Sequence, residues 1–132
     1  MLAYLLVAIG SALGGVGRFW ISGLVADRIG QSFPWDTIIV NITGCFIIGF
    51  FNTLTGTEGR LLVPAAARTF FMIGLCGGYT TFSAFSLQTL NLAQDGEWPQ
   101  AAANVFLSVV LCLLGVWLGH ILATGLNAMK GG

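Results

Sequence analysis

Four long apolar runs alternate with short charged connections along the chain. The runs cover 2–25, 37–54, 69–92 and 101–126, and each is close to the roughly 20 residues that a helix needs to cross a bilayer. This pattern predicts an all-α integral membrane protein, with one transmembrane domain over 1–132 and four spanning helices. Most charges lie in the predicted connections: Asp27, Arg28, Asp36, Glu58, Arg60, Arg68, Asp95 and Glu97.

The composition supports a membrane protein and disfavours other classes. Hydrophobic residues make up 56% of the chain and charged residues 8%, against about 25% charged in soluble domains. The first run lacks a basic start, so it predicts a permanent span rather than a signal peptide. Lipid is the expected surrounding and nucleic acid is not an expected partner.

No nucleophile–base or metal-binding constellation is present, which disfavours an enzyme. We interpret Cys45, Cys76 and Cys112, which lie one in each of three runs, as small buried side chains.

Charge and glycine patterns bear on assembly. With four spans, Arg60, Arg68 and Lys130 lie on one side of the membrane and Arg18 and Arg28 towards the other, a balance that permits insertion in both orientations. Three GxxxG motifs begin at Gly10, Gly74 and Gly115, and this motif favours close helix packing. We therefore expect at least two chains to associate, and an inverted pair is compatible with the charges.

The third run contains an unusually polar segment, GGYTTFSAFS, at 77–86. Gly77 and Gly78 each weaken a helix by about 1 kcal/mol relative to alanine, so we expect the span to break near its middle. Interrupted membrane helices are tolerated where they line a cavity, and such breaks often expose carbonyls to a small cation.

The residues around this predicted break have the chemistry of an anion site. Phe82 and Phe85 share a helix face, and their ring edges are electropositive. Asn41 offers two amide donors, for an anion or for an interhelical bond, whereas Thr43 is expected to bond its own backbone. Ser108 could add a donor or bond within its helix. Ordinary packing remains the alternative for the two phenylalanines.

Arg18 lies inside the first run. A charged residue there is costly and marks a functional or paired site by default. Snorkelling of the side chain to the interface is the alternative. The functional alternatives are facing an anion or anchoring a loop.

Together these motifs resemble the Fluc fluoride channels. The resemblance rests on Gly14 to Arg18, on Val40–Asn41 and on GLCGGYTTFSAFS, and it extends over the chain in size, span number and motif order. It implies a bacterial inner-membrane protein that lets fluoride leave the cell passively. It also implies an antiparallel dual-topology homodimer with two pores at the subunit interface.

The resemblance further implies specific roles. Gly77 and Thr80 would present backbone carbonyls to a structural Na+ at the dimer centre, with four oxygens from two chains. Phe82 and Phe85 would form an aromatic box beside the Asn41 amide. The anion pathway implied in this way comprises Arg18, Asn41, Thr81, Phe82, Ser83, Phe85 and Ser108.

The chain departs from the family pattern at several positions. Ala84 replaces a threonine, Gln88 stands where a glutamate is frequent, and Cys112 and Val116 stand where hydroxyl residues are common. These differences leave open an accessory or weak subunit of a heterodimeric channel. A small multidrug-type proton-coupled exporter is the alternative from another class, but it needs an intramembrane carboxylate, and the four runs contain none.

Overall fold

The computed structural model describes residues 1–57 and 59–130, and the chain is helical there apart from its connections. Four of its helical segments are long and apolar enough to cross a membrane, which confirms the predicted all-α architecture with four spans. Glu58, which carries one of the predicted loop charges, lies outside the described residues. The elements are α1 (Leu2–Ile29), α2 (Trp35–Leu54), α3 (Ala65–Arg68), the π-helix π1 (Thr69–Cys76), α4 (Gly77–Tyr79), α5 (Phe82–Gln94) and α6 (Trp98–Lys130). The third span thus comprises α3, π1, α4 and α5.

Proline and glycine mark the boundaries of these helices. Pro34 and Pro64 immediately precede α2 and α3, and Pro99 is the second residue of α6. Proline suits these positions because its fixed φ matches the first helical turn and its missing N–H has no intrahelical partner there. Gly96, with φ 80°, makes the sharp turn between α5 and α6. The left-handed conformation at this position favours glycine.

The two halves of the third span pack on different helices. π1 and α4 lie along α1, whereas α5 packs mainly on α6. α2 lies along α6 and also contacts α1. The third span therefore passes from one neighbour to the other, and it does so at the end of α4.

The GxxxG motifs make close contacts within one chain. A Cβ atom added at Gly10 would lie 2.7 Å from the Phe70 carbonyl oxygen, and one added at Gly78 would lie 2.7 Å from the Ser11 carbonyl oxygen. Gly115 approaches α2 in a similar way, since its Cβ would lie 3.1 Å from the Ile42 carbonyl oxygen. The predicted dense packing is present, but these glycine faces contact helices of the same chain and so give no separate support to association between chains.

Hydrogen bonds tie the helix ends together on one side of the bundle. Arg68 Nη2 donates to Asn52 Oδ1 at 2.8 Å, and Arg68 Nη1 also donates to Thr55 Oγ1. On the same side, the Arg60 amide donates to Asn127 Oδ1 at 2.6 Å, which ties the connection after α2 to the end of α6.

Candidate functional site

The third span is interrupted at Thr80 and Thr81. The last helical bond before the break runs from the Thr80 amide to the Cys76 carbonyl, at 3.1 Å. Thr80 then has φ −82° and ψ 160°, and Thr81 has φ −150° and ψ 116°, so both residues are extended. The helix resumes at Phe82. The break thus sets the carboxyl end of α4 beside the amino end of α5.

Asn41 holds this break from the neighbouring span. Its Oδ1 accepts a hydrogen bond from the Thr81 amide at 2.8 Å, and its Nδ2 donates to the Thr81 carbonyl at 3.0 Å. In a continuous helix the Thr81 amide would donate to the Gly77 carbonyl. Asn41 therefore bonds both backbone groups of Thr81. This is the interhelical bond predicted from the sequence as one of two alternatives for its amide. One of its two amide hydrogens remains for another acceptor.

The Thr81 side chain starts the second half of the span. Its Oγ1 accepts a hydrogen bond from the Ala84 amide at 3.1 Å, which is the bonding pattern of an N-cap. The Ser83 and Thr81 hydroxyls are 3.3 Å apart. Thr81 therefore combines an extended backbone with a capping side chain, and both help α5 begin directly after the break.

The glycine pair does not form the break, contrary to the sequence-based expectation. Gly77 and Gly78 lie in α4, and Gly77 has helical angles, φ −64° and ψ −35°. Gly78 instead permits the close approach to Ser11 described above, whereas a Cβ at Gly77 would meet nothing nearer than the Met72 carbonyl oxygen at 3.8 Å. The interruption comes three residues after Gly77, where Asn41 supplies partners for extended backbone.

A cavity of about 490 Å³ brings most of the candidate residues together. It borders the helix break and extends between α2, α5 and α6. None of the described residues that line it carries a carboxylate. They are Asn41, Gly44, Cys45, Ile48, Cys76, Gly77, Thr80, Thr81, Phe82, Phe85, Ser108, Val109, Cys112 and Leu113. Ser83 and Arg18 are not among them.

The two phenylalanines form a pair at the cavity. Their ring centroids are 5.3 Å apart and the ring planes are inclined by 54°. Phe85 is half-buried, whereas Phe82 is 78% exposed although it lies in a membrane-spanning segment. The pair therefore lines the cavity and also presents a ring on the outer surface of the chain.

A buried polar chain between α5 and α6 was missed by the sequence reasoning. Ser108 Oγ donates to Asn104 Oδ1 at 3.3 Å, Asn104 Nδ2 donates to Thr89 Oγ1 at 2.8 Å, and Thr89 Oγ1 donates to the Phe85 carbonyl at 2.8 Å. Asn104 is 1% exposed. The rule that singled out Asn41, that an amide in an apolar span must find partners, applies equally to Asn104.

Arg18 lies at a second cavity, of about 460 Å³, between α1, α2 and α5. Its Nε donates to the Gly78 carbonyl at 3.4 Å, one of the last carbonyls before the break, so it anchors the end of α4. Asp36 lines the same cavity and accepts a hydrogen bond from Ser22 Oγ at 2.6 Å. Gln88 also lines it, and its Oε1 is buried and has no hydrogen-bond partner among the described residues.

Tyr79 and Thr43 join the second and third spans beside the break. The Tyr79 and Thr43 hydroxyl oxygens are 2.8 Å apart. Thr43 Oγ1 also lies 2.9 Å from the Ile39 carbonyl oxygen of its own helix, so the predicted bond to its own backbone is confirmed.

These features define a class of protein: a multi-pass membrane protein whose interrupted third span borders a cavity lined without carboxylates. A family model described as CrcB-like protein, Camphor Resistance (CrcB), matches residues 5–120. The chain belongs to this family, which confirms the resemblance found in the sequence.

Curated relatives match over nearly the whole chain. A protein named fluoride-specific ion channel FluC from Methylocella silvestris is 60% identical over 128 residues, covering 97% of this chain and 98% of the relative. Relatives of the same name from Opitutus terrae and Rhodospirillum rubrum are 62% and 61% identical, over 99% and 96% of this chain and 99% and 98% of the relatives.

Proposed function

We propose that this chain is a fluoride-selective channel that lets fluoride leave a bacterial cell passively across the inner membrane. The names of its relatives, all from bacteria, support the ion and the activity. A passive channel needs a path rather than a reacting group, so the function is transport and not enzymatic catalysis. The observation that carries the proposal is the cavity at the helix break, where Asn41, Phe82 and Phe85 meet.

The chemistry of this cavity suits a small anion. Fluoride holds its hydration water strongly, so a pore must offer it replacement contacts while still releasing it. The free hydrogen of the Asn41 amide and the ring edges of Phe82 and Phe85 are such contacts. The amino end of the 13-residue α5 also begins at this cavity, and a helix amino terminus carries a partial positive charge.

The proposed assembly is an antiparallel dual-topology dimer with two pores. Phe82 lines the cavity yet is 78% exposed, and Gly77 is exposed on the same side of the chain. A second copy against this surface would cover the exposed ring and complete the wall of the pore. The near balance of basic residues between the two sides of the bundle supports opposite insertion of the two copies.

The residues at the break fit the proposed structural Na+. Hard cations prefer oxygen ligands. Thr80 lies in the break, and Gly77 lies in the last helical turn before it. The Gly77 carbonyl is free of its usual helical donor, since the Thr81 amide donates to Asn41. Two carbonyls from each of two chains would supply four oxygens without any acidic side chain. When bound, the ion would add a fixed positive charge near the anion path.

Fluoride efflux from liposomes tests this function. Vesicles loaded with potassium fluoride and containing the purified chain should release fluoride when valinomycin carries the compensating potassium. Vesicles loaded with potassium chloride should retain their anion. Fluoride release no faster than from protein-free vesicles would contradict the proposal.

Two features of the cavity favour also testing an accessory subunit as the second candidate. Ser108 lines the cavity, but its Oγ donates to Asn104, and Cys112 places a thiol where a hydroxyl is common. Val116, in contrast, packs against Gly49 and does not line the cavity, so its missing hydroxyl removes no donor there. The liposome assay on the single chain distinguishes the two, because an obligate heterodimer subunit would give no efflux alone.

A further inference from the structure

All three cysteines of the chain line the cavity, but in different environments. Cys45 lies on α2 and Cys112 on α6, and both are half-buried. Cys76 lies on π1 and is only 4% exposed. Their positions along the chain do not predict this grouping, because the three cysteines are far apart and lack CxxC spacing.

Cys45 on α2 and Cys112 on α6 lie at the same level of the contact between these two helices and line the same cavity. Gly49 of α2 meets the Val116 backbone of α6, and Cys45 and Cys112 each lie four residues, about one turn, before these two residues. One turn beyond that contact, Thr53 Oγ1 of α2 and His120 Nδ1 of α6 are 2.7 Å apart, so the two helices run in the same direction and keep this register. The chain therefore places two neighbouring thiols on the wall of one cavity.

We propose that Cys45 and Cys112 form a two-thiol binding site for a soft, thiophilic cation such as Hg²⁺. Soft metal ions prefer thiolate ligands, and Hg²⁺ accepts two of them in a linear arrangement. Among the described residues no three His, Cys, Asp or Glu side chains are grouped to hold a metal. Zn²⁺, which is almost always four-coordinate in structural sites, therefore lacks a sufficient ligand set here.

Binding of Hg²⁺ to this pair exchanges two thiol protons for the metal ion and needs no oxidant. Hg²⁺ forms one Hg–S bond to Cys45 and one to Cys112, and the two thiols release two protons. A thiolate site of this kind needs no further charged ligand, since two thiolates neutralise the ion. This stoichiometry distinguishes the pair from a single cysteine, which would release one proton.

The site has a consequence for transport that rests on the proposed function. The same cavity contains Phe82, Phe85 and Ser108. An ion bound between the two sulfur atoms would occupy part of the path proposed for fluoride. Hg²⁺ should therefore inhibit fluoride efflux by the full-length chain.

Mercury X-ray absorption spectroscopy of the purified full-length protein tests the site directly. The variant C76S keeps only the proposed pair, and with one equivalent of HgCl₂ per chain it should show two sulfur ligands and release two protons. The variants C45S/C76S and C76S/C112S should each show one sulfur ligand and release one proton. Size-exclusion chromatography checks that each variant is folded. One sulfur ligand in C76S would overturn the proposal.

Fluoride efflux from liposomes provides the second readout. Hg²⁺ should reduce efflux by C76S to the rate of protein-free vesicles, whereas efflux by C45S/C112S, which retains Cys76, should stay at the rate that this variant shows without mercury. If mercury has two sulfur ligands in C76S but the protein gives no fluoride efflux without mercury, the metal site is supported and the proposed channel function is contradicted. If fluoride efflux is insensitive to mercury and mercury has one sulfur ligand in C76S, the two-thiol site is rejected and the proposed channel function is supported.

Discussion

The two halves of the third span are held in opposite ways. The first half, π1 and α4, is fixed by backbone contact with α1, where Gly10 and Gly78 leave no room for a Cβ atom. The second half, α5, packs on α6 through side chains and leaves Phe82 78% exposed. Backbone contact with α1 thus keeps the first half helical as far as Tyr79, while the open second half leaves space for an ion path.

The largest predicted effect on stability separates the adjacent glycines Gly77 and Gly78. Replacing Gly78 by alanine places a Cβ 2.7 Å from the Ser11 backbone, so we expect a loss of about 1–3 kcal/mol in the free energy of unfolding, typical of overpacking. Replacing Gly77 by alanine meets no atom within 3.8 Å and should be neutral or should stabilise by up to about 1 kcal/mol through helix propensity. Thermal unfolding in detergent measures both. Equal destabilisation would contradict the distinction between the two glycines.

Asn41 tests the connection between the two halves. Asn41→Ala removes two hydrogen bonds to the Thr81 backbone and leaves those groups without partners, so we expect a loss of about 1–3 kcal/mol in stability and loss of fluoride efflux. Thr43→Val is the matched control, because Thr43 contacts Tyr79 from the same helix but before the break. The control should lose about 1 kcal/mol and still conduct. Normal efflux by folded Asn41→Ala would show that the break does not depend on this amide.

The smallest predicted effect on fluoride efflux concerns Asp36, which lies at the second cavity and not at the helix break. Its carboxylate shares the second cavity with Arg18 and so opposes the attraction of an anion to that guanidinium. Asp36→Asn should raise fluoride efflux modestly at low ionic strength and have little effect at high salt, where the Debye length shortens to about 3 Å at 1 M.

Ser22→Ala is the control for Asp36. It removes the 2.6 Å hydrogen bond but keeps the charge, so efflux should remain close to that of the unchanged chain. An equal increase in both variants, or an increase at Asp36→Asn that is independent of salt, would point to a structural effect of the pair.

Hydropathy predicted the four spans because bilayer thickness fixes the length of an apolar helix. The polar segment at 77–86 predicted a break in the third span, but the prediction attributed it to Gly77 and Gly78, which are helical in the structure. Glycine weakens a helix only on average, and here backbone contact with α1 stabilises the helical form at Gly78. The true position depends on Asn41, forty residues earlier, and no local preference encodes that contact.

Some of the residues at the site were predicted from the sequence and others were not. Asn41, Phe82, Phe85 and Ser108 meet at one cavity, as their shared chemistry suggested. Asn104 went unnoticed although the same argument about buried amides applies to it. The pairing of Cys45 with Cys112 could not have been found, because only the register between α2 and α6 brings the two thiols together.

Fluoride efflux by Phe82→Ile tests the central proposal most directly, with Phe106→Ile as the matched control. Phe82 and Phe106 are both largely exposed, at 78% and 66%, but only Phe82 lines the cavity. In reconstituted vesicles with equal amounts of folded protein, Phe82→Ile should fall to the rate of protein-free vesicles, while Phe106→Ile should conduct like the unchanged chain. Undiminished efflux by Phe82→Ile, or equal loss in both variants, would contradict an anion path along this ring.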